Sequence, residues 1–170
     1  KKLTEDLVEA SKASSGALNV ELQPTDVNVL LSQIEGEYQE RLAACHLTLV
    51  TQPPAPGTMI QADSRLLSRV MDNLVSNVCK YAMENTRVYV TAAVRDGQAV
   101  ISFKNVSRDE LNISPDELME RFVRGDASRH SEGSGLGLSI ARSLVQLQGG
   151  TFALSIDADL FRADIVFPLI

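Results

Sequence analysis

Glu132-Gly-Ser-Gly-Leu-Gly-Leu-Ser-Ile-Ala-Arg-Ser-Leu-Val-Gln-Leu-Gln-Gly149-Gly150 is the stretch whose reading decides the fold. Gly133, Gly135 and Gly137, at alternate positions, let the backbone turn sharply and come close to a ligand, and they open directly into a helix. That helix is read from Leu136, Ile140, Leu144 and Leu147 on one face, with Ala141 and Val145 beside them. It stops at Gly149-Gly150, where left-handed conformations cost little. Its unpaired first-turn amides and positive dipole end make the junction an anion site. A P-loop would need Lys-Ser/Thr after its last glycine, whereas Leu138-Ser139 follow here. A dinucleotide fingerprint would need a strand just before the glycines, whereas a polar loop, Arg124 to Glu132, precedes them. A glycine-rich helix start that binds nothing is the alternative for this segment taken alone.

Upstream, Asp63 or Ser64 caps a helix from about Arg65 to Met83. One face carries Leu66, Leu67, Val70, Met71, Leu74, Val75 and Val78, an ordinary core stripe. The other sets Asn73 and Asn77 one turn apart, with Lys80 and Tyr81 on the following turn. Asn is disfavoured in helices against Ala by up to roughly 0.7 kcal/mol, and a merely solvated face would use Glu, Lys or Arg. Two such misfits stacked together point to a binding role, the other reading being a surface face that happens to hold two Asn.

The remaining chain supplies the frame. Residues 1–18 place Leu3, Leu7, Ala10 and Ala17 in a thin apolar stripe on a charged helix, with Val8 beside them, and read as the end of a helix cut from its partners. Asn19 to Pro24 is a short extended connection, and Thr25 or Asp26 caps a helix to about Ala44 through Val27, Leu30, Leu31, Ile34, Tyr38 and Leu42. Leu47–Thr51 and Thr58–Ala62 are strands around a stiff Pro53–Gly57 turn. Arg87–Val94 and Gln98–Lys104 alternate apolar and polar residues around the hairpin turn Asp96-Gly97. A long polar segment, Ser107 to Glu132, holds one short helix from Pro115 to about Arg121 and reads as a lid. Strands Thr151–Ile156 and Phe161–Phe167 close the chain.

With 170 residues and 44% hydrophobic composition, the chain can bury a core of its own as one domain with a short appendage. A net charge of -6 and no Lys/Arg cluster argue against a nucleic-acid or anionic-membrane surface. No apolar run has the length of a membrane span. Cys45 and Cys79 lack a metal-type spacing and read as reduced core thiols of an intracellular protein. The start at Lys1-Lys2-Leu3, without Met, reads as a piece of something longer.

The order of polar-faced helix, hairpin, lid, glycine-led helix and closing strands resembles the ATP-binding catalytic domain of two-component sensor histidine kinases. Asp72 to Ala82 is similar to that family's N box, Arg121 to Arg129 to its F box and lid, and Gly133 to Leu138 to its second glycine box. Residues 1–18 are similar to the tail of the dimerisation domain that precedes it. The resemblance implies an α/β two-layer sandwich of the Bergerat type, a mixed sheet covered on one face by helices, over residues 19–170. It implies ATP and Mg²⁺ between the polar-faced helix and the lid. Asn77 would ligate Mg²⁺, and Asn73 would contact the phosphate–metal cluster, with Lys80 and Tyr81 near the phosphates. Gly133, Ser134, Gly135, Leu136 and Gly137 would cradle the phosphates, and Arg124 would reach the γ-phosphate while Phe122 anchors the lid. Related ATPases of this fold place a Glu at the position of Asn73 to activate water, and an amide cannot take that proton, so transfer is favoured over hydrolysis.

One box departs from the family pattern. Asn105-Val-Ser107-Arg-Asp109 stands where the family has Asp-x-Gly-x-Gly, whose Asp accepts the adenine amino proton. Asn105 can still accept that proton, without the charge assistance of a carboxylate. The phosphoacceptor is absent as well, since His46 precedes a strand and His130 sits in the lid. The resemblance therefore implies a kinase core that does not autophosphorylate alone. It would pass the γ-phosphoryl to a histidine on the parent chain's dimerisation domain, for relay to a response regulator receiver domain. The parent would be a homodimer and a membrane-anchored sensor, with this portion cytoplasmic. The alternatives are a degenerate scaffold that binds no nucleotide and an anti-sigma-type serine kinase.

Overall fold

The computed structural model describes Val8, Lys12 and residues 18–111, 114–124 and 137–170. Val8 and Lys12 are helical and exposed, and the rest of the expected leading helix lies outside the described residues. In chain order the elements are β1 (Gln23–Asp26), α1 (Val27–Ala44), β2 (Leu47–Gln52), β3 (Met59–Ala62) and α2 (Ser64–Tyr81). They continue as β4 (Thr86–Arg95), β5 (Gln98–Val106), α3 (Pro115–Arg124), α4 (Gly137–Leu147), β6 (Thr151–Asp157) and β7 (Leu160–Pro168).

Five strands form one mixed sheet in the order β2-β4-β5-β7-β6. Only β2 and β4 run parallel; the other pairs are antiparallel. The period of two buries Val88, Val90 and Ala92 of β4, Ala99, Ile101 and Phe103 of β5, and Phe161, Ala163, Ile165 and Phe167 of β7 on one face. Against that face lie the apolar stripes of α1, α2 and α4, the first two made of the residues the helical period selects. The two-layer sandwich is therefore as expected. In α4, Leu138 is buried with Ile140, Ala141, Leu144 and Val145, whereas Leu147 is half-buried and Leu136 lies outside the described residues.

Local chemistry fixes the element ends. Asp26 caps α1 by accepting the amide of Asn28. Asp96 and Gly97 both take positive φ, 52° and 73°, as a two-residue turn matched to strand twist requires. Helix α4 ends in a Schellman motif, with Gly149 N–H donating to Gln146 O and Gly150 N–H to Val145 O. Gly149 takes the left-handed conformation at φ 88°. A Cβ on Gly150 would lie 2.9 Å from both Val145 Cγ1 and the Val166 carbonyl oxygen, so only glycine fits there.

Several elements differ from the expected ones: α3 reaches Arg124 rather than about Arg121, β5 reaches Val106 rather than Lys104, and β1 and α2 differ as follows. Gln23 and Pro24, read as the end of a connection, and Thr25 and Asp26, read as candidate helix caps, form β1 and pair antiparallel with β3 in a separate two-stranded sheet. Short segments containing a proline carry little strand signal, and the pairing is supplied by a partner far along the chain. Helix α2 ends at Tyr81 rather than Met83, because Ala82 turns extended and bridges Ser107.

Asp63 joins these parts. Its buried carboxylate accepts the amides of Arg65 and Leu66, capping α2, and also that of Glu21, while its own N–H donates to Gln148 Oε1 at 2.8 Å. Burial alone would raise its pKa, but the amides of Glu21, Leu66 and Arg65 outweigh that and hold it below the ordinary carboxylate value. A depressed folded pKa stabilises the domain above the unfolded value of about 3.9, and that contribution is lost as pH falls through the folded value. Asp63→Ala should therefore cost about 1–2 kcal/mol at neutral pH. In urea titrations the deficit against the parent should narrow below about pH 4; a deficit that stays constant into acid would contradict the charge argument.

Candidate functional site

The site is built where α2, the start of α4 and the end of β5 converge. Helix α2 packs against α4, and a methyl group placed on Gly137 would lie 3.9 Å from the Cβ and backbone oxygen of Asn73 and 4.0 Å from its Oδ1. The glycine-led helix start is thus seated beside the first of the two asparagines. At the other end of α2, Met83 N–H donates to Val106 O and Arg108 N–H to Tyr81 O, both at 2.8 Å, stitching the helix end to β5. Ser107 N–H in turn donates to Asp159 O at 2.7 Å.

Asn73 is buried, at 6% exposure, rather than lying on a solvated face. Its Nδ2 has no hydrogen-bond partner, and neither has Oδ1 of Asn105, which is 3% exposed. Among the described residues these are the buried side-chain polar atoms left without a partner. An orphaned buried group costs about 1–3 kcal/mol, so such atoms mark places where something else completes the bond. One is a donor lacking an acceptor, beside the start of α4; the other is an acceptor lacking a donor.

Asn77 is half-buried one turn beyond Asn73, and Lys80 and Tyr81 are half-buried in the last turn, with Tyr81 packed against the core. Asn73 and Gly137 are therefore brought together, and Tyr81 is tied through its carbonyl to the segment following Asn105. Gly133, Ser134, Gly135 and Leu136 lie outside the described residues, as does His130. Arg124 ends α3, and its side chain lies outside the described set. His46 is exposed, and its backbone takes a positive φ of 61° where α1 ends, its N–H donating to Ala43 O. Its structural role is one of the backbone.

Ser107, named in the sequence only as part of the departing box and as the start of the polar segment, is buried, at 5% exposure. The signal was present: the inward alternation of Ala99, Ile101 and Phe103 continues through Asn105 to Ser107, past the expected strand end at Lys104. A neutral amide oxygen such as that of Asn77 is chemically compatible with a hard cation that keeps most of its water; no cluster of three His, Cys, Asp or Glu is gathered among the described residues.

The sequence profile of the histidine kinase-, DNA gyrase B- and HSP90-like ATPases, HATPase_c, matches residues 62–165. The chain belongs to the HATPase_c family. The match spans α2 through most of β7, and so takes in both asparagines of α2, Asn105 and the glycine motif. Sensor histidine kinase HprS of Escherichia coli strain K12 is 30% identical over 154 residues, covering 88% of this chain and 32% of HprS. The chain spans about a third of the length of the curated relatives HprS, PcoS and BaeS. Full-length ShkA in complex with AMPPNP shares the HATPase_c fold at TM-score 0.79 and 24% identity, over 98% of this chain and 35% of that one. Histidine kinase ThkA in complex with response regulator protein TrrA does so at TM-score 0.70 and 17% identity, over 98% of this chain and 49% of that one. Among the described residues no helix is long and apolar enough to cross a membrane.

Proposed function

We propose that this HATPase_c domain binds Mg²⁺-ATP between α2 and α4 and serves as the catalytic core of a sensor histidine kinase. The γ-phosphoryl would go to a histidine on a dimerisation domain of the parent chain and then to a response regulator receiver domain. The observation that carries the reading is the pair of orphaned amide atoms, Asn73 Nδ2 and Asn105 Oδ1. Adenine's amino group supplies the donor that Asn105 lacks, and a phosphate oxygen supplies the acceptor that Asn73 lacks.

In this reading Asn77 Oδ1 ligates Mg²⁺, which supplies neutralisation of phosphate charge when bound. Lys80 and Tyr81 approach the phosphates from the last turn of α2. Amides from Gly133, Ser134, Gly135, Leu136 and Gly137 would cradle them, and Arg124 would reach the γ-phosphate. Asn73 positions without taking a proton, so attacking water is not activated and transfer to a protein nucleophile is favoured. The sensor relatives and the ThkA–TrrA pair support the relay partner. Residues 1–18 would be the end of the dimerisation helix and 19–170 the catalytic domain, in the cytoplasmic part of a homodimeric, membrane-anchored parent.

The test is thermal unfolding with and without Mg²⁺-ATP, with Mg²⁺-GTP as control. At a hundred times its dissociation constant, a ligand stabilises by about 2.7 kcal/mol, a rise of roughly 5–10 °C for a domain of this size. No rise with ATP, or an equal rise with GTP, would defeat the reading. Transfer is then scored by adding a separately made histidine-bearing dimerisation domain and following label from the γ-phosphate.

A further inference from the structure

Helix α2 is held on both flanks. Its inner face is set by the buried Met71, Leu74, Val75 and Val78; Asp72 and Ser76 stand one turn apart on one flank, and Asn73 and Asn77 one turn apart on the other. The Asn73 flank meets α4 at Gly137. The Asp72 flank is gripped by two residues of α1. Tyr38, 3% exposed, donates its hydroxyl to Asp72 Oδ1 at 2.8 Å. Arg41 divides its guanidinium between both positions, Nη1 donating to the same Asp72 oxygen at 3.4 Å and Nη2 to Ser76 Oγ at 2.6 Å. The guanidinium carbon lies 6.0 Å from the centre of the Tyr38 ring, so the two gripping side chains also pack on each other. Burial, and then the bond to the Asp72 carboxylate, raise the Tyr38 pKa, so its hydroxyl stays a donor.

We propose that Tyr38 and Arg41 are positioning residues for Mg²⁺-ATP: by gripping Asp72 and Ser76 they fix the roll of α2 about its axis, and with it the projection of Asn73 and Asn77. The inference rests on the proposed function, in which those two asparagines meet phosphate and metal. Apolar burial holds α2 against the sheet without direction, whereas hydrogen bonds to two positions one turn apart resist rotation. A side-chain atom about 5 Å from a helix axis moves by close to 1 Å when the helix rolls by about 10°. A misplacement of about 1 Å can cost about a hundredfold. The grip needs arginine, whose planar fork offers separate donors to Asp72 and Ser76; a lysine ammonium on its flexible stem is a single point charge. Arg41 and Asp72 are both nearly half exposed, so their ion pair adds little to global stability and its loss falls on orientation.

The experiment measures ATP affinity by titration calorimetry, with Mg²⁺ and with EDTA, in the parent, Arg41→Lys, Tyr38→Phe and Ser76→Ala. The ratio of the two affinities is the gain due to the metal, and urea unfolding of the nucleotide-free proteins runs alongside. In Arg41→Lys the gain should fall by about tenfold, with the unfolding midpoint close to the parent's. Tyr38→Phe should lower the gain in the same direction. Ser76→Ala gives the sharpest contrast: alanine is the better helix former, so the free domain should be at least as stable as the parent while the gain still falls. A structural role alone would lower the midpoint and leave the gain at the parent's value in all three variants, and that result would overturn the proposal. A parent whose ATP binding shows no dependence on Mg²⁺ would instead defeat the proposed metal site itself, and the positioning role with it.

Discussion

Asn77→Ala is expected to lower the affinity for Mg²⁺-ATP by about a hundredfold or more, since loss of even an outer-shell partner of a metal ligand costs 10–100-fold. The same substitution should leave the nucleotide-free domain as stable as the parent or slightly more so. Asn77 is half-buried on α2, and alanine is preferred over asparagine in a helix by up to roughly 0.7 kcal/mol. The combination separates a ligand from a structural residue. Titration calorimetry with Mg²⁺-ATP reads the first effect and thermal unfolding of the free protein the second. An unchanged affinity would remove Asn77 from the metal site. A lowered affinity accompanied by a lower unfolding temperature would point to a packing role instead.

Phe103→Ala should destabilise the domain by about 3–5 kcal/mol, the loss expected for a fully buried Phe in a core that cannot collapse. Phe103 is 2% exposed on β5, the middle strand of five, and in register with Val90 on one side and Ala163 on the other. The small Ala163 cannot fill the space, and the strands are held in place by their ladders. The midpoint of urea unfolding should fall while its slope stays unchanged, because the surface exposed on unfolding is nearly the same. A loss below about 1 kcal/mol would mean that neighbouring side chains repack into the cavity.

Much of the fold was legible because its signals are local. Asp26 and Asp63 cap the helices they precede, Asp96-Gly97 makes the hairpin, and Gly149 ends α4 in the left-handed conformation. Each follows from a side chain acting on backbone within a few residues of itself. What escaped depends on partners distant in the chain. The pairing of Gln23–Asp26 with Met59–Ala62 and the link from Asp63 to Gln148 leave no periodic trace. At the candidate site, the residue types at Asn73, Asn77 and Asn105 drew attention because amides there conflict with propensity or family pattern. The burial of Asn73 did not follow from the same reading. A helix face is called polar from its residue types, and whether water or α4 covers it is decided by packing.

The arrangement around Asp63 also bears on where this protein can be cut. Its carboxylate takes one of its three amides from Glu21, before the first strand begins. A shortened chain starting at Gln23 would keep every numbered helix and strand, yet leave a buried carboxylate oxygen without that donor. The smallest autonomously folding piece should therefore begin upstream of Glu21. A boundary drawn at the first regular element, as expression designs often are, would give a protein weakened at the cap of the helix that carries Asn73 and Asn77.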